Sequence, residues 1–571
     1  MKWNFDSRIR LISVFFIAGA LLTVTRLYFL QIVHSENYQT KAEGDLLSQS
    51  EKLFDRGAIY FKNKNGSLTA AAEVETGYML SINPKLIAEP EKIYENLSKF
   101  IEIDQRIFLE KANKTEDQYE EILKNIDAET GEKIRKLKLP GVIILKDQWR
   151  VYPADALAAH VLGFVGYNGN VIDGRYGLER YYEDNLGRDS NVSGKNFFVE
   201  IFSNAKKIGG GGDRLEADII SSIEPSIERN LEDEIKIIND KWSSKSSGGI
   251  IMDPKTGEIY AMTAYPSFNP NSYKTEKDVS IFSNPLVERV YEMGSILKPI
   301  TMAIGLDTRA VTATTTYRDE GFLKIDDRTI YNFDKKGRGL VSMQEVLNQS
   351  LNTGVATVAL KIGKKTFTDY IQKFGLGEET GIDLPSEAGG LIQNLLKSFG
   401  KVELANASFG QGIAVTPIEM IRALSVLGNG GLLPNPHIVK ELNYELGFSK
   451  KIIITEEEMR RVIAPETSEE ITRMLVEVVD KALKNGAAKF EHYSVAAKTG
   501  TAQIANPGGG GYYPDKYLHS FFGYFPAYKP RFIIFLYTIE PNAPYASETL
   551  TDSFINIVKF LINYYQIPPD R

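Results

Sequence analysis

The longest apolar run in the chain lies close to its N-terminus. Residues 11–33 are almost wholly apolar, and a helix needs about twenty such residues to cross a bilayer. The ten residues before the run carry three basic side chains, which by the positive-inside rule predicts a cytoplasmic N-terminus. A cleavable signal peptide is the alternative. Because no small-x-small cleavage site follows and apolar character resumes at residues 27–30, an uncleaved anchor is favoured.

Beyond the anchor, the pattern of apolar positions changes near residue 245. Before it, short strands and helices are mixed. After it, apolar strands at 249–252 and 259–264 lead to an apolar helix at 296–306, and an α-rich region follows. Apolar strands return after residue 494, and a final helix ends the chain. Strands at both ends with helices between them predict one antiparallel sheet packed by helices in a two-layer α/β body.

The sequence therefore predicts a membrane-anchored protein with two domains outside the cytoplasm. A chain of 571 residues is too long for one hydrophobic core. The expected fold class is α/β (α+β), with a mixed α+β domain before the domain of sheet and helices. The predicted boundaries are 1–10 for the cytoplasmic tail, 11–33 for the transmembrane anchor, 45–216 for the mixed domain and 245–565 for the last domain.

Composition excludes several classes of function. The formal net charge is −7, so no basic surplus indicates binding of nucleic acid. The absence of cysteine excludes disulfides and thiolate metal sites, and the five histidines show no ligand spacing. We therefore expect no metal ion and no cofactor.

A serine and a lysine stand one helical turn apart at the start of the apolar helix. Ser295 and Lys298 occupy positions i and i+3, so they share one helix face. A serine hydroxyl becomes a useful nucleophile only when a base takes its proton, and a lysine amine can do so when its pKa is lowered. The first turn also leaves backbone N–H groups free to face a developing negative charge. The spacing predicts a serine that becomes acylated.

Two further polar elements follow at a distance. They are Ser350-Leu351-Asn352 and Lys498-Thr499-Gly500-Thr501. The order Ser-x-x-Lys, Ser-x-Asn, Lys-Thr-Gly is that of penicillin-recognising serine acyltransferases. Lys498 would place a second cation near Lys298, and both this charge and burial would lower the pKa of the Lys298 amine.

Other copies of these short elements occur in different contexts. Ser-x-x-Lys recurs at Ser203 and Ser398, where nearby glycines argue against a helix. A second Lys-Thr-Gly, at residues 255–257, lies between the first two apolar strands and is interpreted as a hairpin turn. Context therefore favours Ser295 as the nucleophile.

Over nearly its full length the chain resembles the class B penicillin-binding proteins, which are monofunctional peptidoglycan D,D-transpeptidases. Besides the catalytic elements, the resemblance rests on stretches similar to motifs of the family's pedestal and transpeptidase domains. These are residues 56–60, 150–153, 159–163 and 174–179 in the pedestal, and 249–253 and 408–412 in the transpeptidase domain. Met293 departs from the family's usual proline. This resemblance identifies residues 45–216 as the elongated α+β pedestal (penicillin-binding protein dimerisation) domain and residues 245–565 as the transpeptidase (penicillin-binding) domain.

The resemblance implies a role for each catalytic residue. Ser295 attacks the carbonyl of the penultimate D-Ala of a peptidoglycan stem peptide and expels the terminal D-Ala, with Lys298 as the base. Ser350 relays a proton towards the leaving amine. Asn352 holds Lys298 and the substrate amide, and Lys498 adds the second cation.

The third element is implied to bind the substrate. The hydroxyls of Thr499 and Thr501 contact the terminal carboxylate, and Gly500 leaves room for a peptide to pair with the strand edge. The backbone N–H groups of Ser295 and Thr501 form the oxyanion hole. A β-lactam is expected to acylate Ser295 in the same way. Water in place of an acceptor amine would give carboxypeptidase activity.

Within the family, the chain looks more like the division branch than the elongation branch. The resemblance rests on Asn-Thr-Gly at 352–354 and on residues 374–377 and 381–385, whereas elongation members tend to carry Asp at position 352. The implied partners are a membrane-embedded glycan polymerase of the SEDS family and other division proteins. The implied location is the bacterial cytoplasmic membrane, crossed once, with the catalytic domain outside the cytoplasm.

Alternatives to septal cross-linking remain. One is an elongation-type class B enzyme. A β-lactam sensor needs a cytoplasmic output domain, but only ten residues precede the anchor. A β-lactamase has no need of a large pedestal. A division scaffold with a degenerate pocket is disfavoured by the intact catalytic elements.

Overall fold

The computed structural model describes residues 54–169, 171–188, 215–396, 400–506, 508–509 and 511–571. The predicted cytoplasmic tail and transmembrane anchor lie outside these ranges. Within them, no helix has both the length and the apolar character that crossing a membrane requires. The described residues divide into two compact units. One holds Val74–Trp149, and the other holds Arg56–Glu73, Arg150–Arg188 and the chain from residue 215 onwards.

The smaller unit combines antiparallel strands with three helices. The long strand Leu68–Ile82 continues into this unit and pairs there with Glu120–Ile126. The helices are Pro90–Leu97, Gln105–Ala112 and Ala128–Lys136, and a further strand is Val142–Val151. Leu80, Leu97 and Phe108 are among the fully buried side chains of its interior. The smaller unit therefore has a hydrophobic core of its own.

In the larger unit, strands from distant parts of the chain form a sheet. Ala217–Ser221 pairs in parallel with Ile59–Lys62 and antiparallel with Val439–Tyr444. Ser449–Lys451 pairs with the outer edge of Val439–Tyr444. Shorter elements of the same region are the strands Val165–Asn168 and Val171–Gly174 and the helices Ala159–Leu162, Gly177–Tyr181 and Glu183–Leu186.

Three of the pedestal motifs meet at one buried carboxylate. Arg56 Nε and Arg150 Nε donate to the two oxygens of Glu179 at 2.5 and 2.7 Å, and the Tyr152 hydroxyl donates at 3.2 Å. Burial raises the pKa of Glu179, but the guanidinium groups of Arg150 and Arg56 outweigh it and hold that pKa below its usual value. Removing one partner from such a buried pair typically destabilises a protein by about 3–5 kcal/mol. The motifs therefore pack against one another.

A five-stranded antiparallel sheet forms the centre of the larger unit, as predicted. Its order is Ala496–Ala505, Tyr512–Phe525, Phe532–Ile539, Ser246–Met252 and Ile259–Tyr265. Ala496–Ala505, which carries the Lys-Thr-Gly element, is an outer strand of this sheet, and we call it the edge strand. The second Lys-Thr-Gly lies in the turn between the last two strands, where Gly257 N–H donates to Asp253 O at 2.9 Å.

Helices cover both faces of this sheet, so the body has three layers and not the predicted two. Successive strand residues point to opposite faces. Leu536 belongs to the core shared with the helices Pro225–Trp242 and Thr551–Tyr565. Its neighbour Phe535 belongs to the core shared with the helix Lys298–Asp307, called here the nucleophile helix. The strand Phe532–Ile539 is apolar at nearly every position because both of its faces are covered.

The α-rich region is confirmed, and small hairpins that were not predicted adjoin it. Within its predicted bounds, residues 343–427, the helices are Met343–Asn348, Asn352–Ile362, Lys364–Lys373, Gln393–Leu396, Lys401–Ala407 and Pro417–Ser425. Helices of the same unit outside these bounds are Pro285–Glu288, Pro465–Glu477 and Ala546–Thr549. The hairpins pair Thr316–Asp319 with Gly339–Ser342, and Phe322–Ile325 with Arg328–Tyr331. A two-residue pair joins Leu432–Leu433 to Arg460–Arg461.

Candidate active site

Ser295 lies in a single 3-10 turn that leads directly into the nucleophile helix. This nucleophile turn comprises Gly294–Leu297. The backbone N–H of Lys298 donates to the carbonyl of Ser295, so the two side chains stand one turn apart. Pro299 occupies the first turn of the helix, where its missing N–H removes no helical hydrogen bond. The predicted helix start is confirmed, with Ser295 just before the α-helical part.

Two glycines bring the nucleophile turn and the edge strand into contact. Gly294 has a φ of +63°, a left-handed conformation that residues with a side chain rarely adopt, and a Cβ there would lie 2.9 Å from Thr501 O. A Cβ on Gly500 would lie 2.7 Å from Met293 O. The same Cβ would lie 2.4 Å from Ser520 Oγ, so a side chain at position 500 has no room. The expected pairing of a peptide with the edge strand stays a prediction.

A buried serine that sequence reasoning missed reinforces this contact. Ser520 lies opposite Gly500 on the neighbouring strand, and its Oγ donates to Met293 O at 2.8 Å. The hydrogen bond fixes the residue that enters the nucleophile turn to the second strand of the sheet. No local pattern marks Ser520 in the sequence, because its partner is 227 residues away.

The amine of Lys298 is buried and bonded to the second catalytic element. Lys298 is 1% exposed, and its Nζ donates to Ser350 O at 2.5 Å and to Ser350 Oγ at 3.1 Å. Ser350 has a φ of +54°, a strained value for a residue other than glycine. This conformation occurs where the chain turns between two helices, and it presents both oxygens of Ser350 to the same amine.

Burial is the larger cause, and the charge of Lys498 the smaller one, that together lower the pKa of Lys298 well below the ordinary lysine value. Burial also lowers the pKa of Lys498, to about 8. A neutral amine has two N–H groups and one lone pair, whereas an ammonium has three donors and no acceptor. With two donors directed at Ser350, a neutral Lys298 keeps one lone pair as an acceptor. Among the described residues, no hydrogen bond joins this amine to the hydroxyl of Ser295, so its role as the base stays a prediction.

The remaining predicted residues surround this centre on two sides. Lys498 Nζ donates to Thr499 O at 2.9 Å, and Thr501 Oγ1 accepts from the backbone N–H of Ala546 at 3.2 Å. Asn352 begins the helix after Ser350, and its Nδ2 donates to Tyr331 O at 2.9 Å. Among the described residues, no hydrogen bond joins Asn352 to Lys298, so the expected contact between them stays a prediction.

A pocket of about 820 Å³ opens beside Ser350, Lys498 and Thr499. Ser295, Lys298 and Asn352 are not among the residues that line it. The other lining residues include Trp242, Phe333, Arg338, Gln349, Lys484 and Glu548. Pockets that hold small ligands have volumes of roughly 300–1,000 Å³, so this one has room for part of a peptide or a β-lactam.

Two other serines begin Ser-x-x-Lys motifs. Ser203 and Ser398 both lie outside the described residues. Lys401, the partner of Ser398 in its motif, begins the helix Lys401–Ala407. The assignment of Ser295 therefore depends on the contacts of its own helix.

The fold and these contacts are those of a serine acyltransferase, and comparison with known proteins gives the family. The family model of the penicillin binding protein transpeptidase domain matches residues 248–558, which is more than half of the chain. The model of the penicillin-binding protein dimerisation domain matches residues 54–193. The chain belongs to the class B penicillin-binding proteins.

Individual relatives agree with this assignment over most of their length. Stage V sporulation protein D of Bacillus subtilis (strain 168) is 29% identical, covering 94% of this chain and 82% of that protein. A peptidoglycan D,D-transpeptidase FtsI homolog of Mesostigma viride is 27% identical over 99% and 96%. The crystal structure of penicillin-binding protein 3 of Mycobacterium tuberculosis complexed with aztreonam superposes with a TM-score of 0.68. It has 21% identity and covers 91% of this chain and 98% of that one, which establishes the fold.

The effect of the Lys498 charge on the pKa of Lys298 can be tested through the pH dependence of acylation. Acylation of Ser295 should accelerate as pH rises through the pKa of Lys298, because only the neutral amine accepts a proton. Lys498→Gln removes the nearby cation, so the pKa of Lys298 should rise. The rising limb of the curve of acylation rate against pH should then move to higher pH. The measurement is the rate of acylation by benzylpenicillin across a pH series.

Lys484→Gln is the matched control, because it removes another lysine of the same pocket. Its limb should coincide with that of the unmodified protein. A limb that stays in place, or moves to lower pH, in Lys498→Gln would contradict the electrostatic coupling of the two lysines.

Proposed function

We propose that this protein is a serine D,D-transpeptidase that cross-links peptidoglycan stem peptides through an acyl-enzyme at Ser295. One observation carries the proposal: the amine of Lys298 is buried, bonded twice to Ser350 and lowered in pKa by burial and by Lys498. Such an amine, one turn from a serine, is the base that acyl transfer requires. The relative named as a peptidoglycan D,D-transpeptidase supplies the substrate class.

The first half-reaction forms an ester and releases an amino acid. Ser295 Oγ attacks the carbonyl carbon of the penultimate D-Ala as its proton passes to Lys298. The tetrahedral intermediate then expels the nitrogen of the terminal D-Ala, which receives a proton relayed through Ser350. The stem peptide stays bound to Ser295 as an acyl ester, and free D-Ala leaves.

Backbone N–H groups stabilise the negative charge that develops on the carbonyl oxygen. We assign these donors to Ser295 and Thr501. Support comes from the close approach of the edge strand to the nucleophile turn at Gly294 and Gly500. Loss of one such donor typically reduces the rate by about a hundredfold or more.

In this proposal, polar side chains of the second and third catalytic elements hold the substrate. Thr499 and Thr501 bind its terminal carboxylate, with Lys498 as the nearby cation. Asn352 binds the peptide amide. Gly500 lets the edge strand lie against the nucleophile turn, so the bound peptide meets Ser295 beside that strand.

The second half-reaction consumes the ester. An amine from another stem peptide attacks the acyl carbon, Lys298 accepts the amine's proton, and Ser295 Oγ leaves with a proton. Water can replace the amine and release a shortened peptide, which is carboxypeptidase activity. A β-lactam follows only the first half, because its ring opens without releasing a fragment, and the adduct hydrolyses slowly.

We propose that residues 11–33 anchor the protein in the cytoplasmic membrane, with residues 1–10 in the cytoplasm. We further propose membership of the division branch, supported by Asn352-Thr353-Gly354 and by the relative named FtsI homolog. In this proposal a membrane-embedded glycan polymerase of the SEDS family supplies the strands, and other division proteins join it.

Replacing Ser295 tests the catalytic part of the proposal. Ser295→Ala should lose all labelling by a fluorescent penicillin, because the only acylated hydroxyl is gone. Ser203→Ala and Ser398→Ala each disrupt another Ser-x-x-Lys and should label normally. Mass spectrometry after benzylpenicillin should find one long-lived adduct, on the peptide that contains Ser295. Labelling that survives Ser295→Ala would refute the assignment, and rapid loss of the adduct would indicate a β-lactamase.

The division branch and the glycan polymerase partner are tested with the full chain in the bacterium that produces it. A tagged chain should concentrate at division sites and, after solubilisation in detergent, should co-purify with a glycan polymerase. An even distribution along the side wall would contradict the division branch. Recovery of the chain without a polymerase would contradict the proposed partner.

A further inference from the structure

The pocket beside the catalytic residues reaches well beyond them. Lys498 and Thr499 of the edge strand line it, and so do Trp242 and Asp552. Trp242 and Asp552 belong to the two helices that cover one face of the five-stranded sheet. The nucleophile helix covers the other face. The pocket therefore extends from the catalytic lysine, past the edge strand, to the helices on the opposite face of the sheet.

Thr499 stands where the pocket passes the edge strand. Successive strand residues point to opposite faces, so Lys498 and Thr499 point in opposite directions. Ala497 lies two residues before Thr499 and is buried in the core of the two helices, so Thr499 points to their side of the sheet. In the proposed function, Thr499 binds the carboxylate of the terminal D-Ala. The pocket beyond Thr499 is therefore adjacent to the amino acid that leaves.

The acceptor amine must approach from the side on which D-Ala leaves. Release of D-Ala, run backwards, is the attack of the D-Ala nitrogen on the acyl ester. Because forward and reverse reactions share one transition state, an amine that follows the same path takes the position of that nitrogen. The rest of the acceptor then lies where D-Ala lay, at Thr499 and in the pocket beyond it.

Two charged side chains in the lining of this pocket have no counterion. They are Glu548 and Lys241, and among the described residues neither takes part in an ion pair or a side-chain hydrogen bond. The ammonium of Lys241 lies 5.2 Å from the ring centre of Trp242. Lys484 and Asp552, which also line the pocket, pair with each other. The pocket thus presents an anion and a cation to a ligand that carries charges of both signs.

Different elements hold the two charges. Glu548 belongs to the short helix Ala546–Thr549, whose first backbone N–H donates to Thr501 Oγ1 at 3.2 Å. Lys241 belongs to the helix whose last residue, Trp242, accepts from the backbone N–H of Asn542 at 2.8 Å. The anion is therefore fastened to the edge strand, and the cation is held by a helix of the layer beyond it.

The backbone along another part of the pocket is irregular. The helix Pro465–Glu477 runs into a π-helical turn, Val478–Ala482, and Lys484 and Asn485 then have φ of +48° and +55°. Both ends of this turn and residues 483–485 line the pocket. Single π-turns and left-handed residues other than glycine are enriched at functional sites. The irregular backbone is thus located where a ligand would lie.

We propose that the pocket beyond Thr499 is an acceptor subsite, which binds the stem peptide whose amine resolves the acyl-enzyme. This inference rests on the proposed function, since it concerns the second half of the same reaction. Glu548 attracts the ammonium group of the acceptor, and Lys241 attracts a carboxylate further along the peptide. The ammonium first loses one proton to solvent. Its nitrogen then bonds to the acyl carbon, the bond from that carbon to Ser295 Oγ breaks, and a proton passes from the nitrogen by way of Lys298 to Oγ.

The test measures how one acyl-enzyme divides between two products, with the full chain in detergent. The donor N-benzoyl-D-alanyl thioglycolate acylates Ser295 and releases thioglycolate. Water then gives N-benzoyl-D-alanine, whereas an acceptor amine gives an amide, and chromatography measures both products. Because both come from the same ester, their ratio does not depend on how fast that ester forms.

Two acceptors distinguish the two charges. D-Alanine has the size of the leaving group, whereas the tripeptide L-alanyl-γ-D-glutamyl-meso-diaminopimelate extends beyond it and carries several carboxylates. Glu548→Gln should lower the ratio of amide to hydrolysis product about two- to fivefold with both acceptors, since an exposed charge pair contributes only that much. Lys241→Gln should lower the ratio by a similar factor with the tripeptide alone.

The matched controls are Asp233→Asn and Lys245→Gln, which remove exposed charges that do not line the pocket. Both should keep the ratio of the unmodified chain. An unchanged ratio in Glu548→Gln, or an equal loss in the controls, would overturn the proposal. So would an equal loss with both acceptors in Lys241→Gln, or an acyl-enzyme that the tripeptide fails to intercept. Failure of the donor to acylate the unmodified chain would contradict the proposed function instead.

Discussion

The arrangement of the site depends on a lysine amine held out of water. Moving an ammonium from water into a protein interior is costly, and a buried lysine lowers that cost by releasing its proton. Lys298 is buried within the nucleophile helix, and Lys498 adds a second positive charge near it. Two oxygens of Ser350 accept the hydrogens that remain on a neutral amine. In our proposal, the burial that packs the helix also prepares the base.

The strained backbone at Ser350 and the glycine contacts at Gly294 and Gly500 both position groups of the site. The positive φ of Ser350 presents both of its oxygens to one amine. On the opposite side, Gly294 and Gly500 let two backbones touch, and Ser520 fixes the approach with a hydrogen bond to Met293. Backbone strain and close approach of this kind persist only where the surrounding fold holds them in place. Here the five-stranded sheet and the α-rich region hold them from either side.

The sequence was informative where chemistry is local and uninformative where it is long-range. Ser295 and Lys298 could be identified because residues three positions apart on a helix share a face. The antiparallel sheet followed from apolar runs of strand length. The third layer was missed although Phe532–Ile539 is apolar at nearly every position, a sign that both of its faces are covered. Ser520 had no local signal, because its partner is distant in the chain.

The protonation state of Lys298 can be observed directly in the full chain by NMR, with the lysine side chains labelled with carbon-13. The Lys298 signal is assigned by its disappearance in Lys298→Arg. Our account predicts that this amine titrates well below the ordinary lysine range and is mostly neutral at the pH of fastest acylation. An amine that stays charged there and titrates like an exposed lysine would contradict the account.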